Sequence, residues 1–282
     1  MQYSGKNRTG RTIRLIIMIV VSVITIYPLL WMLASSFKFE TDIFKNMNLM
    51  PNPATLENYI KGWRGASGQN FGVYFKNSFI IIFFVVLGNM TSSSLTAFAF
   101  ARMDFTFKKI LFAVMLVTMM LPFHVTLIPR YIMFNNMGWI DTYYPLTVPA
   151  FFATHGFFIF LNVQFMRGIP KELDYAATVD GCGPIMLYST VILPLSLPAL
   201  ASTAIFSFIW TWNDFFSQLI YISDPLKYTI SLGLRSFMDA TTRSAYGQIF
   251  AMSLLSLVPI LIFFITCQRY LIEGIVTTGI KG

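Results

Sequence analysis

Long apolar runs separated by short polar segments dominate this chain. A membrane crossing needs about 20 apolar residues, and six runs meet that length: 13–33, 78–100, 110–129, 143–166, 195–222 and 249–267. Beyond Arg14 the six hold a single formal charge, Asp214. The pattern predicts an all-α polytopic membrane protein with six transmembrane helices, 1–282 forming a single transmembrane domain. Pro122 and Pro129 in the third run, Pro145 and Pro149 in the fourth and Pro259 in the sixth predict kinks. The carbonyls those prolines free need partners within the bundle. The second run carries Gly88, Asn89, Thr91, Ser92, Ser93, Ser94 and Ala97, small and hydroxyl residues that let helices approach closely.

Composition agrees. Of 282 residues 56% are hydrophobic and 11% charged, the mean hydropathy is +0.65, and soluble domains carry about 25% charged residues. The net charge of +8 does not indicate nucleic acid, because the Lys and Arg side chains crowd the flanks of the apolar runs. Cys182 and Cys267 form neither a disulfide framework nor a metal-ligand spacing. The basic start (Lys6, Arg8, Arg11, Arg14) followed by an apolar run looks like a signal peptide. The run exceeds the roughly 7–15 residues of a cleaved core, so a retained first helix is expected.

An even number of crossings puts both termini on one side. That side carries Lys6, Arg8, Arg11, Arg14, Arg102, Lys108, Lys109, Arg167, Lys171, Arg269 and Lys281, eleven of the 20 basic residues. The excess makes it cytoplasmic. The segments 37–77, 130–142 and 223–248 then lie outside.

One cytoplasmic segment, 167–194, differs from the rest. Pro170 suits the first turn of a new helix, and Glu172 and Asp174 follow where the helix dipole favours acids. Leu173, Ala176, Ala177 and Asp180 are spaced to share one face, small enough to sink into a groove on another protein. Gly181 and Gly183 stop the helix, and Pro194 and Pro198 restart the chain as the fifth crossing.

The order Ala176-Ala177, Gly181, Val191-x-Leu193-Pro194 resembles the EAA loop of ATP-binding-cassette (ABC) importer permeases, with Tyr175 standing where that family usually has Glu. Tyr27-Pro28-Leu29, Ser35-Ser36-Phe37-Lys38, Leu56-Glu57-Asn58-Tyr59 and the ending Gln268-Arg269-Tyr270 … Gly279-Ile280-Lys281-Gly282 extend the resemblance to maltose-type carbohydrate permeases, in particular the six-helix partner of that heterodimer. The resemblance implies the type I importer permease fold and a non-catalytic subunit in a bacterial or archaeal plasma membrane. Its partners would be a second permease, an ATPase dimer holding ATP and Mg, and an extracytoplasmic sugar-binding protein. By analogy the ATPase-coupling residues are Glu172, Leu173, Asp174, Tyr175, Ala176, Ala177, Asp180, Gly181, Leu193 and Pro194. Asp174 or Glu172 would supply the charge that Tyr175 lacks. Gly279, Ile280, Lys281 and Gly282 would contact the ATPase, and segments 37–77 and 223–248 would meet the binding protein.

A pathway set in the fifth run, Trp210, Trp212, Asn213 and Asp214, pairs aromatic faces for sugar rings with groups for hydroxyls. A lone Asp near the middle of a helix costs about 2.5–3.5 kcal/mol and should face the bundle or water. The competing expectation is a structural hydrogen bond, or for the tryptophans an interfacial aromatic belt. His124 and His155 read as packing residues, and Met115, Met119 and Met120 as core filler. Gly5-x4-Gly10-Arg11-Thr12 lacks both the lysine and the preceding strand of a phosphate loop. An ion- or proton-coupled carrier using Asp214 is the alternative function; such carriers usually bury several ionisable groups.

Overall fold

A computed structural model of the chain describes residues 8–45, 48–65, 68–238 and 245–279, and every regular element among them is helical. The helices are α1 (Arg8–Ser36), α2 (Glu57–Arg64), α3 (Phe71–Arg102), α4 (Lys108–Met119), α5 (Phe123–Asn136), α6 (Tyr144–Thr147), α7 (Gly156–Gly168), α8 (Glu172–Val179), α9 (Pro184–Leu187), α10 (Leu193–Leu195), α11 (Leu197–Asn213), α12 (Phe216–Tyr221), α13 (Ile230–Arg235) and α14 (Tyr246–Gly279).

Four stretches are long and apolar enough to cross a membrane: Gly10–Ser36, Phe71–Arg102, Tyr144–Gly168 and Tyr246–Gln268. The count reaches six when each of two bent helix pairs is taken as one crossing. The bend in the third span agrees with the kink predicted from Pro122, while that in the fifth corrects the expectation of a continuous span. The third bends by 102° between α4 and α5. Pro122 occupies the N-cap of α5 with ψ 136°; a proline also drives the residue before it out of the helical region. Pro129 lies inside α5 without ending it. The fifth span bends by 73° at Ser196, between Pro194 and Pro198, and its main helix stops at Asn213 rather than running to 222. The fourth span is also irregular at its start. Pro145 and Pro149 each open a short turn, and Ala153, at φ +54°, separates these from α7.

The chain divides into two compact units. The first comprises the described residues up to Asn70 together with Leu234–Leu257. In it, α1 buries none of its apolar window, as a helix bathed in lipid would. Two sequence motifs meet here. Asn58 Nδ2 donates to the carbonyls of Ser36 (2.8 Å) and Lys38 (2.7 Å), and Tyr59 Oη lies 2.9 Å from Ser36 Oγ. Asn58 thus satisfies backbone groups that the end of α1 leaves open. Glu40 accepts the N–H groups of Tyr246 (2.8 Å) and Gly247 (2.9 Å), a carboxylate at the positive end of α14.

The second unit, Phe71–Gly233 with the chain from Val258 onward, is organised by α3. This helix packs on α7, α11 and residues 148–152. Gly88 lets the chain at Ala150 and Phe151 come so close that a Cβ would sit 2.9 Å from Phe151 Cδ2 and 3.0 Å from the Ala150 carbonyl carbon. The Ala150 carbonyl, left over by the irregular start of the fourth span, accepts Ser92 Oγ at 2.7 Å, a partner found within the bundle. Asn89 donates to Ser207 (2.6 Å). Asn162, fully buried, donates to Thr203 (2.9 Å), Phe158 O (2.8 Å) and Ser93 (3.3 Å). These bonds give the helices of this unit their register. Toward the Arg102 end an apolar cluster of Ala97, Phe98, Phe100, Ile159, Val163, Met166, Ile169 and Ile192 completes the core.

Segments 130–142 and 223–248 are joined through Asp141. Its backbone adopts φ +60°, which aspartate tolerates better than most residues. Its carboxylate accepts the N–H groups of Ser223 (3.0 Å) and Asp224 (2.9 Å) and the Lys227 ammonium (2.9 Å). The Asp224 N–H, followed by Lys227, holds the Asp141 carboxyl below its ordinary range. A lowered carboxyl pKa contributes stability that is complete above the unfolded value of about 3.9 and is lost as pH falls through the lower folded value. Asp141→Asn should destabilise this junction by about 1 kcal/mol at neutral pH. The difference from the parent in thermal melts should shrink as pH falls from about 4 through the lowered folded value; a gap that stays constant into acid would show that the carboxylate charge is not involved.

Candidate functional site

The segment after α7 forms an exposed helical finger. Lys171 precedes α8, whose first turn carries Glu172 and Asp174. Val179 ends it and Asp180 is its C-cap. Gly181, at φ +84°, takes the left-handed position that closes the helix. The N–H of Cys182 returns to Ala177 O (2.9 Å) and that of Gly181 to Thr178 O (3.0 Å). This pair of bonds is the Schellman closure, which favours glycine at the turn. The chain then runs through α9 into one π-helical turn, Tyr188–Ile192, followed by Leu193 and the exposed Pro194. Pro194 has no N–H to continue α-type bonding, a reason for the local widening.

The face expected from spacing is only partly right. Leu173, Ala176 and Asp180 are exposed, but Ala177 is buried at 7%. Ala177 shares its side of the helix with Asp174, three residues earlier, and Asp174 is drawn inward by an ion pair to Arg102 (3.1 Å). Asp174 is therefore engaged within the chain and is not the free charge that would replace a glutamate at Tyr175; Glu172 remains exposed. The outward surface is also less flat than alanines alone would make it. Tyr175 (67%), Val179 (88%) and Ile185 (84%) stand out in solvent with Leu173 and Met186. Exposed apolar side chains clustered on a polar loop mark a contact surface.

The second feature is a cavity of about 960 Å³ in the unit organised by α3. Aromatic side chains including Phe123, Phe134, Trp139, Trp210 and Tyr221 line it, with polar groups from His124, Arg130, His155, Asn213, Asp214 and Gln218. The break after α11 places Asn213 and Asp214 there. Asn213 terminates the helix, and Asp214, as its C-cap, leaves helical conformation at ψ 110°. Asp214 is thus at a helix end, not in mid-helix as expected. Its Oδ1 accepts the Ser217 N–H (3.1 Å) at the start of α12, a local bond three residues along the chain. Trp210 is half exposed and stacks on Phe158 (5.2 Å, 29°). Trp212 parts company with the other three pathway residues: it is buried among Phe75, Phe79 and Phe208 and is not in the cavity wall. A period of 3.6 residues per turn puts residues two apart on opposite sides of a helix. His124 and His155 pack edge-on to Phe216 and tilted to Phe158 respectively, and both line the cavity.

Sequence reasoning gave Arg102 no role beyond orienting the chain, and passed over Tyr188 and Asn162. Arg102 does leave a trace, a lone cation closing an otherwise uncharged apolar run. In the tail, α14 reaches Gly279, while Ile280, Lys281 and Gly282 lie outside the described residues. Among the described residues no cluster of three or more His, Cys, Asp or Glu could hold a metal ion.

Helical spans, two of them bent, a helical finger between the fourth and fifth, and an open, partly polar cavity define a membrane transport subunit. The chain belongs to the family described as binding-protein-dependent transport system inner membrane component, which it matches over residues 90–275. A chain of Caldicellulosiruptor sp. (strain Rt8B.4) named as an ABC transporter permease, ORF2, is 37% identical over 256 residues, covering 90% of this chain and 91% of that one. The trehalose/maltose transport system permease protein MalG of Thermococcus litoralis is 32% identical over 265 residues, 94% of each chain. In fold the chain also resembles a solved bacterial ABC transporter involved in the import of the acidic polysaccharide alginate. The TM-score is 0.85 over 96% of this chain and 99% of that one, at 18% identity. The protein is a multi-pass membrane permease of that binding-protein-dependent transport family.

Proposed function

We propose that this chain, as a single permease domain, is one of two permease subunits of an ATP-driven importer for an oligosaccharide. The observation that carries the reading is the finger 172–187. Its outer surface exposes Leu173, Tyr175, Val179, Ile185 and Met186, while its inner surface is tied to the bundle. That arrangement suits a docking element for an ATPase, which would hold ATP and Mg in its own chain. Nucleotide-driven closure of that partner would move α8 and open the path to the other side of the membrane. The basic residues flanking the finger and the N-terminal run favour a cytoplasmic location for both termini. Trp210, with Asn213 and Asp214 beside it in the cavity wall, offers an aromatic face and hydroxyl partners for a sugar. An extracytoplasmic binding protein would deliver it. A carrier driven through Asp214 is less well supported, since that carboxylate already accepts the Ser217 N–H.

The chain tagged and purified from native membranes should bring with it an ATPase and a second permease. Reconstituted alone, it should neither hydrolyse ATP nor take up radiolabelled maltose, trehalose or arabino-oligosaccharides. Uptake by vesicles holding this chain alone would overturn the proposal.

A further inference from the structure

A single guanidinium ties the finger to the bundle. Arg102 is the last residue of α3, and its side chain is 2% exposed. One terminal nitrogen meets Asp174 on α8 at 3.1 Å. The other donates to the carbonyls of Met166 (2.8 Å) and Ile169 (2.7 Å) where α7 ends. Arg102 therefore joins three elements at once, which the point charge of a lysine could not do with the same geometry. A cation is also favoured at the C-terminus of α7. The ion pair is one-armed: Arg102 Nε and Asp174 Oδ1 are both buried without a hydrogen-bond partner. With the guanidinium buried and held from both sides, a displacement of α8 is passed to α3 instead of being absorbed by a solvated side chain.

What lies behind the pair matters as much. α3 is an uninterrupted helix of 32 residues, about 48 Å long. It is gripped again by Tyr188 of the π-turn, whose hydroxyl lies 2.5 Å from Ser94 Oγ. Farther along, the same helix packs on residues 148–152 and carries Ile81 and Val85 of the cavity wall. A displacement of the finger enters α3 at Arg102 and reaches the cavity along a stiff rod. From this geometry we infer that Arg102 is a positioning residue of transport: with Asp174 it is the pin that converts movement of α8 into movement of α3. The inference rests on α8 being the ATPase-docking helix.

The test uses the complex purified with its ATPase. Cys182 and Cys267 are changed to Ser, and Lys76→Cys provides a single thiol on an exposed site near the opposite end of α3. Labelling by a polar maleimide is compared without nucleotide and after trapping with ATP and vanadate. In the parent, trapping should change the labelling rate about threefold or more. Asp174→Asn and Arg102→Lys, with the ATPase bound and still trapping vanadate, should lose most of that change. A merely structural pair would lower yield or melting temperature and leave the nucleotide response of the assembled fraction intact; that result overturns the assignment, as does a parent with no response. Loss of the ATPase from both variants would make the pair a docking element and overturn its transmitting role. Failure of the parent to bind an ATPase at all would overturn the docking reading itself.

Discussion

Replacing Gly181 with valine should cut sugar uptake about tenfold or more while the ATPase stays bound and continues to hydrolyse ATP. The reason lies in the backbone. Gly181 holds φ +84°, a conformation that costs an ordinary residue about 1–2 kcal/mol and a β-branched one more. Space is not the issue, since a Cβ there would meet nothing within 4 Å. The strain acts on α8, only eight residues long and closed by the Cys182 and Gly181 N–H bonds to Ala177 and Thr178. A helix so short has little stability of its own. Losing its closure unwinds the last turn, displacing Val179 and the turn that leads to Ile185. Gly181→Asn, which tolerates a left-handed backbone, should retain most uptake. Gly181→Asp fits the same backbone but brings a carboxylate to the docking surface, and it should uncouple hydrolysis from uptake with the complex assembled. Comparing hydrolysis and uptake for the three variants separates backbone from charge. Normal coupling in both the valine and aspartate variants would remove the finger from the mechanism.

Gly88→Val should produce the largest loss of stability, about 1–3 kcal/mol or more. The added carbon meets Phe151 Cδ2 at 2.9 Å and the Ala150 backbone at 3.0 Å. Phe151 could turn aside, but the Ala150 carbonyl carbon is backbone and can give way only if segment 148–152 shifts as a whole. Separation would stretch Ser92 Oγ from Ala150 O, now 2.7 Å apart. An unsatisfied carbonyl inside a membrane bundle costs further free energy. Thermal unfolding in detergent should show a clearly lowered midpoint, with Gly88→Ala intermediate. A Gly88→Val protein that melts with the parent would mean that α3 and this segment do not approach as described.

Much of the site was legible because it is local. The helix of the finger follows from Pro170, two early acids and a glycine stop, all within a dozen residues. Spacing could say that Leu173, Ala176, Ala177 and Asp180 lie close around the helix. It could not say which side Asp174 would be pulled toward, because Arg102 arrives from a helix far away in the sequence. The same limit explains the pathway set. Trp210 and Trp212 are equally aromatic, and only the packing of Phe75, Phe79 and Phe208 around one of them decides that the other faces the cavity. Proline positions announced disturbance in spans three to five. Whether a proline bends a helix, as Pro122 does, or is carried inside one, as Pro129 is, depends on what neighbouring segments offer the freed backbone.

The sequence alone determined the class of fold, an all-α polytopic membrane protein, and the location of its finger, because apolar run length, turn residues and helix stops act over neighbouring positions. The tertiary structure alone decided which partner Asp174 takes, which tryptophan faces the cavity, and that Asp214 caps a helix instead of standing within one. Those outcomes depend on contacts between distant segments, where burial and hydrogen-bond satisfaction choose among orientations that local pattern leaves equivalent.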